Sequence, residues 1–314
     1  MIEEIKAIEK NNTSKLVELP DKKKTIDVKW IFKVKFNLYG SVSKYKARLV
    51  ARGFLQRYGV DYSEVFSPVA RLETVRFVVA LASSKNWSLS HLDVKSTFLN
   101  GPLEEDVYVT QPPGFEVNGK EQMMYKLHKA LYGFKQAPRA WNKRIDQFLL
   151  QIGFKKRKAE YGIYVQNLNE ENITMIFLYV DDLLVTGCNH NEIEKFIHII
   201  RCEFEMYDLG RLSYFLGLEL KANNTGIVMH QQKYIGELLD RFDMVDWNTA
   251  TNPFETNAKL DECIINSNHI NSKDPNKLKK TPNIIFRFEI INVINSNLKL
   301  FLIKSSENSI TVIL

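Results

Sequence analysis

Asp181 and Asp182 are adjacent carboxylates in the middle of an apolar run, IFLYVDDLLVT (176–186). The run is rich in β-branched and aromatic residues and reads as a buried β-hairpin over 173–187 with the acid pair at its turn. Two ionised neighbours at the edge of an apolar sheet repel each other and resist desolvation, at a cost on the order of several kcal/mol when unpaired. A divalent cation offsets that cost, and hard oxygen donors suit Mg²⁺. Taken alone, the pair could equally be a solvated turn, since Asp is a good turn residue. Asp93 adds a further carboxylate at the end of the apolar stretch WSLSHLD (87–93), followed by Val94. A strand-end Asp facing a hairpin-tip Asp pair can hold two divalent ions about 3.5–4 Å apart, the geometry of two-metal phosphoryl transfer. The matching reaction is attack of a 3′-hydroxyl on a triphosphate with loss of pyrophosphate.

The elements that must position these acids follow from periodicity. Residues 28–37 (VKWIFKVKFN) alternate apolar and basic positions, a turn follows at 38–41, and 44–52 (KYKARLVAR) forms a second strand. The pair reads as a hairpin with basic side chains on one face. Helices are expected over 73–86, over 138–153, where Trp141, Ile145, Phe148 and Leu149 share a face between a Pro and a Gly, and over 192–204. Short strands are expected at 87–93, 107–111, 213–220 and 226–230, and a last helix at 232–242. Residues 95–101 form a turn and 103–106 a solvated acidic loop that holds no metal. Irregular alternation of strands and helices predicts an α+β fold around a mostly antiparallel sheet.

Composition narrows the class. With 45% apolar and 25% charged residues in 314, the chain is globular. Its net charge of +6 is unevenly spread: 28–60 holds no acid but carries Lys29, Lys33, Lys35, Lys44, Lys46, Arg48, Arg52 and Arg57. Such a stripe is either a solvated face or a phosphate-binding one. Cys188, Cys202 and Cys263 form no CxxC and read as thiols of a reducing compartment. The scattered histidines make zinc chemistry a poor fit. The amino terminus lacks an apolar signal core and no stretch reaches membrane-spanning length, so an intracellular protein without a membrane partner is expected.

Several ordered blocks then match one family. They are KYKARLVARGF (44–54), DYSEVFSPVARLETVR (61–76), LDVKSTFLNGPLEEDVYVTQPPGF (92–115), KALYGFKQAPRAW (129–141), YVDDLLVTG (179–187) and FEMYDLGRLSYFLGLEL (204–220). The chain closely resembles the reverse transcriptase domain of copia-type LTR retrotransposon Pol polyproteins. The resemblance implies a polymerase right-hand fold with fingers, palm and part of a thumb over 28–256, an N-terminal linker at 1–27 and a tail at 257–314. It implies that Asp93, Asp181 and Asp182 are the catalytic, metal-binding acids, served by two Mg²⁺ ions, with Mn²⁺ a substitute. Lys46 and Arg48 would contact the incoming triphosphate. Phe98 would crowd a ribose 2′-hydroxyl and select deoxynucleotides, although a Phe is more often simply core. Gly133, Lys135 and Gln136 would lie against template and nucleotide. Phe215, Leu216 and Gly217 would form the primer grip. The implied partners are a primed RNA or DNA template and deoxynucleoside triphosphates. The parent element would work in the cytoplasm, in a virus-like particle, or in the nucleus.

Two departures stand out. Thr97 occupies a position that is commonly Ala in the family, so it is expected to tilt Phe98 or crowd the nucleotide. After 256 the family continues into the rest of the thumb and an RNase H domain, whereas here the last 59 residues hold 10 Asn and 11 Ile, a bias that predicts a poorly ordered extension. Two readings therefore stand beside each other: a working RNA-directed DNA polymerase domain, and a truncated, inactive transposon remnant that at most binds nucleic acid.

Overall fold

A computed structural model of the chain describes residues 1–36, 41–167, 172–223, 226–246, 301–304 and 310–313. It divides into two compact units, Met1–Leu212 and Ser213–Leu314. In chain order the first unit contains α1 (Ile2–Lys10), β1 (Ser14–Val17), β2 (Thr25–Ile26), β3 (Val28–Phe36), β4 (Val42–Ala51), α2 (Leu72–Ser84), β5 (Leu89–Val94), β6 (Tyr108–Val109), β7 (Met124–Leu127), α3 (Ala137–Gln151), β8 (Lys155–Lys156), β9 (Ile163–Asn167), β10 (Ile173–Tyr179), β11 (Asp182–Gly187), α4 (His190–Glu203) and β12 (Met206–Arg211).

Its centre is a six-stranded sheet, order β12-β5-β11-β10-β9-β8, antiparallel throughout. Side chains alternate across a strand, so one face carries Leu92 and Val94 from β5, Leu183 and Val185 from β11, and Ile176 and Leu178 from β10. These residues form one buried core with Trp141, Ile145, Phe148 and Leu149 of α3 and Ile193, Phe196, Ile197 and Ile200 of α4. The helical spacing of those two stripes is what lets each helix lie flat on the sheet. His91, Asp93 and Asp182, out of phase with that set, belong to the opposite face. Sheet pairing and helix packing together thus fix which way the acids point.

A second core joins α1, the base of the β3–β4 hairpin, a four-stranded sheet of order β1-β7-β6-β2 and the start of α3, through Ile8, Val28, Leu49, Leu127, Leu131 and Phe134 among others. Here the sequence-based expectation needs correction. The segment at 1–27, expected as a linker, contributes α1 and also two strands, β1 and β2. β1 pairs with β7, Leu16 opposite Tyr125, and β2 runs parallel to β6. The strand expected at 107–111 shortens to β6, and β7, β8, β9 and β12 are additional. The turn expected at 38–41 falls, but for Ser41, outside the described residues.

The second unit contains a meander of β13 (Tyr214–Phe215), β14 (Leu218–Asn223) and β15 (Gly226–His230), the helix α5 (Gln232–Arg241), and a pair of short strands, β16 (Phe301–Lys304) and β17 (Ile310–Ile313). The rest of the tail expected to be poorly ordered, including Cys263, lies outside the described residues. Among the described residues no helix is long and apolar enough to cross a membrane.

Candidate active site

β11 pairs with β5 so that Asp182 stands directly opposite Asp93, Leu183 opposite Leu92 and Leu184 opposite His91. On the other side β10 and β11 form a two-residue hairpin, Tyr179 opposite Asp182, with Val180 and Asp181 at the turn. A loop this short takes a turn with positive φ at its first central residue, and Val180 has φ 55°. The Val94 amide donates to the Asp181 carbonyl at 2.8 Å. The register therefore brings Asp93, distant in sequence, to the same end of the sheet as the Asp181–Asp182 pair.

Their partners differ. Asp182 Oδ1 lies 2.8 Å from His91 Nε2, both side chains mostly buried. Asp93 and Asp181 instead line a cleft of about 600 Å³ together with Lys46, Arg48, Lys95, Tyr132 and Tyr207. Burial pushes the Asp93 carboxyl above the usual carboxylate range, and Asp181 and Asp182 push it further, against the pull of His91 and Lys46. Burial also raises Asp181; a backbone hydrogen bond opposes this rise and Asp182 adds to it. Burial thus raises both half-buried acids more than the nearby cations lower them.

The positive charge nearby comes from β3 and β4. Their register sets Lys33 opposite Lys46 and Lys35 opposite Lys44. Like charges directly opposite on one face destabilise a bare hairpin, so this ladder suits a polyanion. Burial lowers the Lys46 ammonium, with Arg48 and Lys35 adding to the fall. The Arg48 guanidinium lies over the Tyr132 ring, 4.3 Å from its centroid. Burial pushes the Tyr132 hydroxyl up to about 12. At the amino terminus Glu3 pairs with Lys44 at 3.1 Å, and Glu4 is buried with Oε1 unbonded. α1 thus brings two acids to the edge of the same cleft.

The other residues expected at the site are placed differently. Phe98 packs edge-on against Tyr132, centroids 5.1 Å apart, and touches both cores. Tyr132, rather than Phe98, lines the cleft. Gly133 (φ 92°) lets two backbones cross: a Cβ there would stand 2.2 Å from the Ala51 carbonyl oxygen. Gln136 is buried, donating to the Asp61 carbonyl and accepting from Gln56, each at 2.8 Å. Lys135 turns to Tyr62, its ammonium 4.7 Å from the ring centroid. Neither Gly133, Lys135 nor Gln136 lines the cleft. Thr97, expected to tilt Phe98 or crowd the nucleotide, is buried at the wall of the cleft, and its hydroxyl donates to the Val94 carbonyl at 2.9 Å. In the acidic loop Glu104 pairs with Lys143 and Asp106 with Lys126. In the second unit Phe215 ends β13 opposite Leu218, and Leu216 and Gly217 form the β13–β14 turn, with φ 50° and 84°.

Four contributors carry no assigned role on sequence grounds. Glu3 and Glu4 lie in the segment expected as an N-terminal linker. Tyr132 sits inside a quoted block without a role assigned to it. His91 falls within the strand expected at 87–93; its place two residues before Asp93, on the same face, is the signal that points to it.

Oxygen donors beside lysine and arginine define an arrangement suited to a divalent cation and a polyphosphate together. Among the described residues no three His, Cys, Asp or Glu side chains converge in ligating geometry. The donor chemistry nonetheless fits Mg²⁺, because the Asp93 and Asp181 carboxylates offer only hard oxygen atoms. Comparison with known proteins agrees. A family model described as reverse transcriptase (RNA-dependent DNA polymerase) matches residues 11–256. The chain is 40% identical over 262 residues to the retrovirus-related Pol polyprotein from transposon TNT 1-94 of Nicotiana tabacum, covering 83% of this chain and 20% of that protein. It is 40% identical over 258 residues to the Pol polyprotein from transposon RE1 of Arabidopsis thaliana, covering 82% and 18%. Over 209 residues it is 28% identical to the transposon Ty1-MR1 Gag-Pol polyprotein of Saccharomyces cerevisiae, covering 64% and 11%. The chain spans about a fifth of the length of the two plant polyproteins. It belongs to the reverse transcriptase family, as the RNA-directed DNA polymerase domain found in retrotransposon Pol polyproteins.

Proposed function

We propose that this domain extends a primer 3′ end on an RNA or DNA template with deoxynucleoside triphosphates, using Asp93 and Asp181 as the principal cation ligands. The observation that carries this reading is the cleft in which those two raised carboxylates stand beside Lys46 and Arg48. The right-hand arrangement is part of the proposal: the six-stranded sheet is the palm, and the β3–β4 hairpin the fingers.

When bound, two Mg²⁺ ions (or Mn²⁺) would acidify the 3′-hydroxyl and neutralise charge on the leaving pyrophosphate. Asp93 and Asp181 would hold them, while His91 keeps Asp182 oriented beside the pair. Lys46 and Arg48 bind the triphosphate tail, where cationic donors count for more than base identity. Tyr132, backed by Phe98, offers the ring against which the sugar packs, so the pair shares the selection of deoxyribose. The turn at Leu216 and Gly217 is assigned to primer contact. The domain acts inside the cell, where its parent polyprotein is made.

Primer extension on an RNA template tests this reading. Extension that needs Mg²⁺ and is absent in Asp181→Asn supports it. No extension by the wild-type chain, or equal extension by the variant, overturns it.

A further inference from the structure

The turn that carries Asp181 is built on a residue poorly suited to it. Val180 is β-branched and sits at φ 55°, a conformation that Gly adopts freely and that costs other residues about 1–3 kcal/mol. Strain of that size persists only where neighbours over-determine the backbone. Here they do so from two sides. From β5, the Val94 amide donates to the Asp181 carbonyl. From α3, the indole Nε1–H of Trp141 donates to the Val180 carbonyl at 2.6 Å. Trp141 is itself fixed: it is buried in the core under the sheet and stacks edge-on against Phe204, centroids 5.2 Å apart. Its hydrogen bond therefore reaches the turn from a rigid base.

We propose that Trp141 is a positioning residue for the acid turn: its indole N–H, held by the α3–α4 core, pins the strained Val180 peptide and so fixes Asp181 relative to Asp93. The catalytic consequence rests on the polymerase reading above; the clamp itself does not. The sequence places Trp141 on the apolar face of a helix, where filling the core is its whole expected role. A core role alone would be met by Phe. A positioning role would not, because Phe keeps the stack on Phe204 and lacks the donor. The indole is worth more at this site than its buried surface, since a misplacement of about 1 Å in a catalytic group can cost about 10²-fold in rate.

The test compares wild type, Trp141→Phe, Val180→Gly and the double variant. Amide hydrogen exchange at Val94 and across 179–182 reads the clamp whether or not the protein is active. Primer extension reads its consequence. Trp141→Phe should speed exchange at the turn at least ~10-fold, with exchange at the α4 amides unchanged, and lower kcat about 10²-fold with little change in KM for the deoxynucleotide. Val180→Gly, which removes the strain, should restore slow exchange and most of kcat in the Trp141→Phe background. Wild-type exchange at the turn in Trp141→Phe overturns the clamp. So does a double variant no better than Trp141→Phe, which would mean that the indole acts through packing. Altered exchange with rescue, in a chain that extends no primer, would leave the clamp standing and overturn the polymerase reading instead.

Discussion

Two hairpins meet at the cleft, and they are built on opposite principles. The β10–β11 hairpin is paired on both sides, backed by the larger core and tied at its turn by Trp141 and Val94. The β3–β4 hairpin is buried only at its base, through Val28, Leu49 and Ala51; farther out Phe32 and Tyr45 are 66% and 75% exposed. The acids need fixed geometry, because a cation tolerates little misplacement of its ligands. The lysines need only to present charge, and a long ammonium side chain can follow a phosphate. Rigidity is concentrated where geometry does the chemistry, and exposure is accepted where charge does.

That contrast can be broken at its acid end first. Asp93→Asn removes a charged ligand and should lower kcat by more than about 10³-fold, with the far-UV spectrum unchanged; a loss smaller than about 10-fold would remove Asp93 from the site. At the basic end Lys46→Ala should act on binding, raising KM for the deoxynucleotide about 10-fold while kcat changes little. A pure kcat effect from Lys46→Ala would mean that both hairpins serve geometry. The smallest effect concerns stability. The folded carboxyls of Asp93 and Asp181 lie above their unfolded values near ~4. The folded state therefore binds more protons there, so the metal-free protein gains stability as pH falls toward that range and loses it as pH rises through the folded values. Asp181→Asn should accordingly raise the metal-free Tm near neutral pH by about 2–4 °C. A lower Tm would show that the acids are not in electrostatic conflict.

Much of this contrast was legible beforehand. A continuous apolar run broken by two acids marks the β10–β11 hairpin, which is buried on both faces, and alternation of apolar and basic residues over 28–36 marks the β3–β4 hairpin. The stripe Trp141, Ile145, Phe148 and Leu149 marks α3, and a Pro marks its start. What stayed hidden depends on partners distant in the chain. β1 is four residues long, and its partner β7 lies more than a hundred residues on, so no local period announces either. Gln136 and Gly133 resemble nucleotide-side residues as letters in a block. Only the packed chain shows that Gln136 completes an amide network with Gln56 and that Gly133 makes room for the Ala51 carbonyl. His91 and Trp141 have ordinary strand and helix positions, and their polar atoms acquire meaning only from the residues across from them.

The central claim is that Asp93 and Asp181 together form a divalent-cation site. Titration of Mn²⁺ followed by electron paramagnetic resonance, with primer–template and deoxynucleotide present, tests it most directly. Bound Mn²⁺ should appear with the wild-type chain and weaken at least ~10-fold in both Asp93→Asn and Asp181→Asn, while Lys46→Ala changes it far less. Wild-type Mn²⁺ binding in either acid variant would contradict the account.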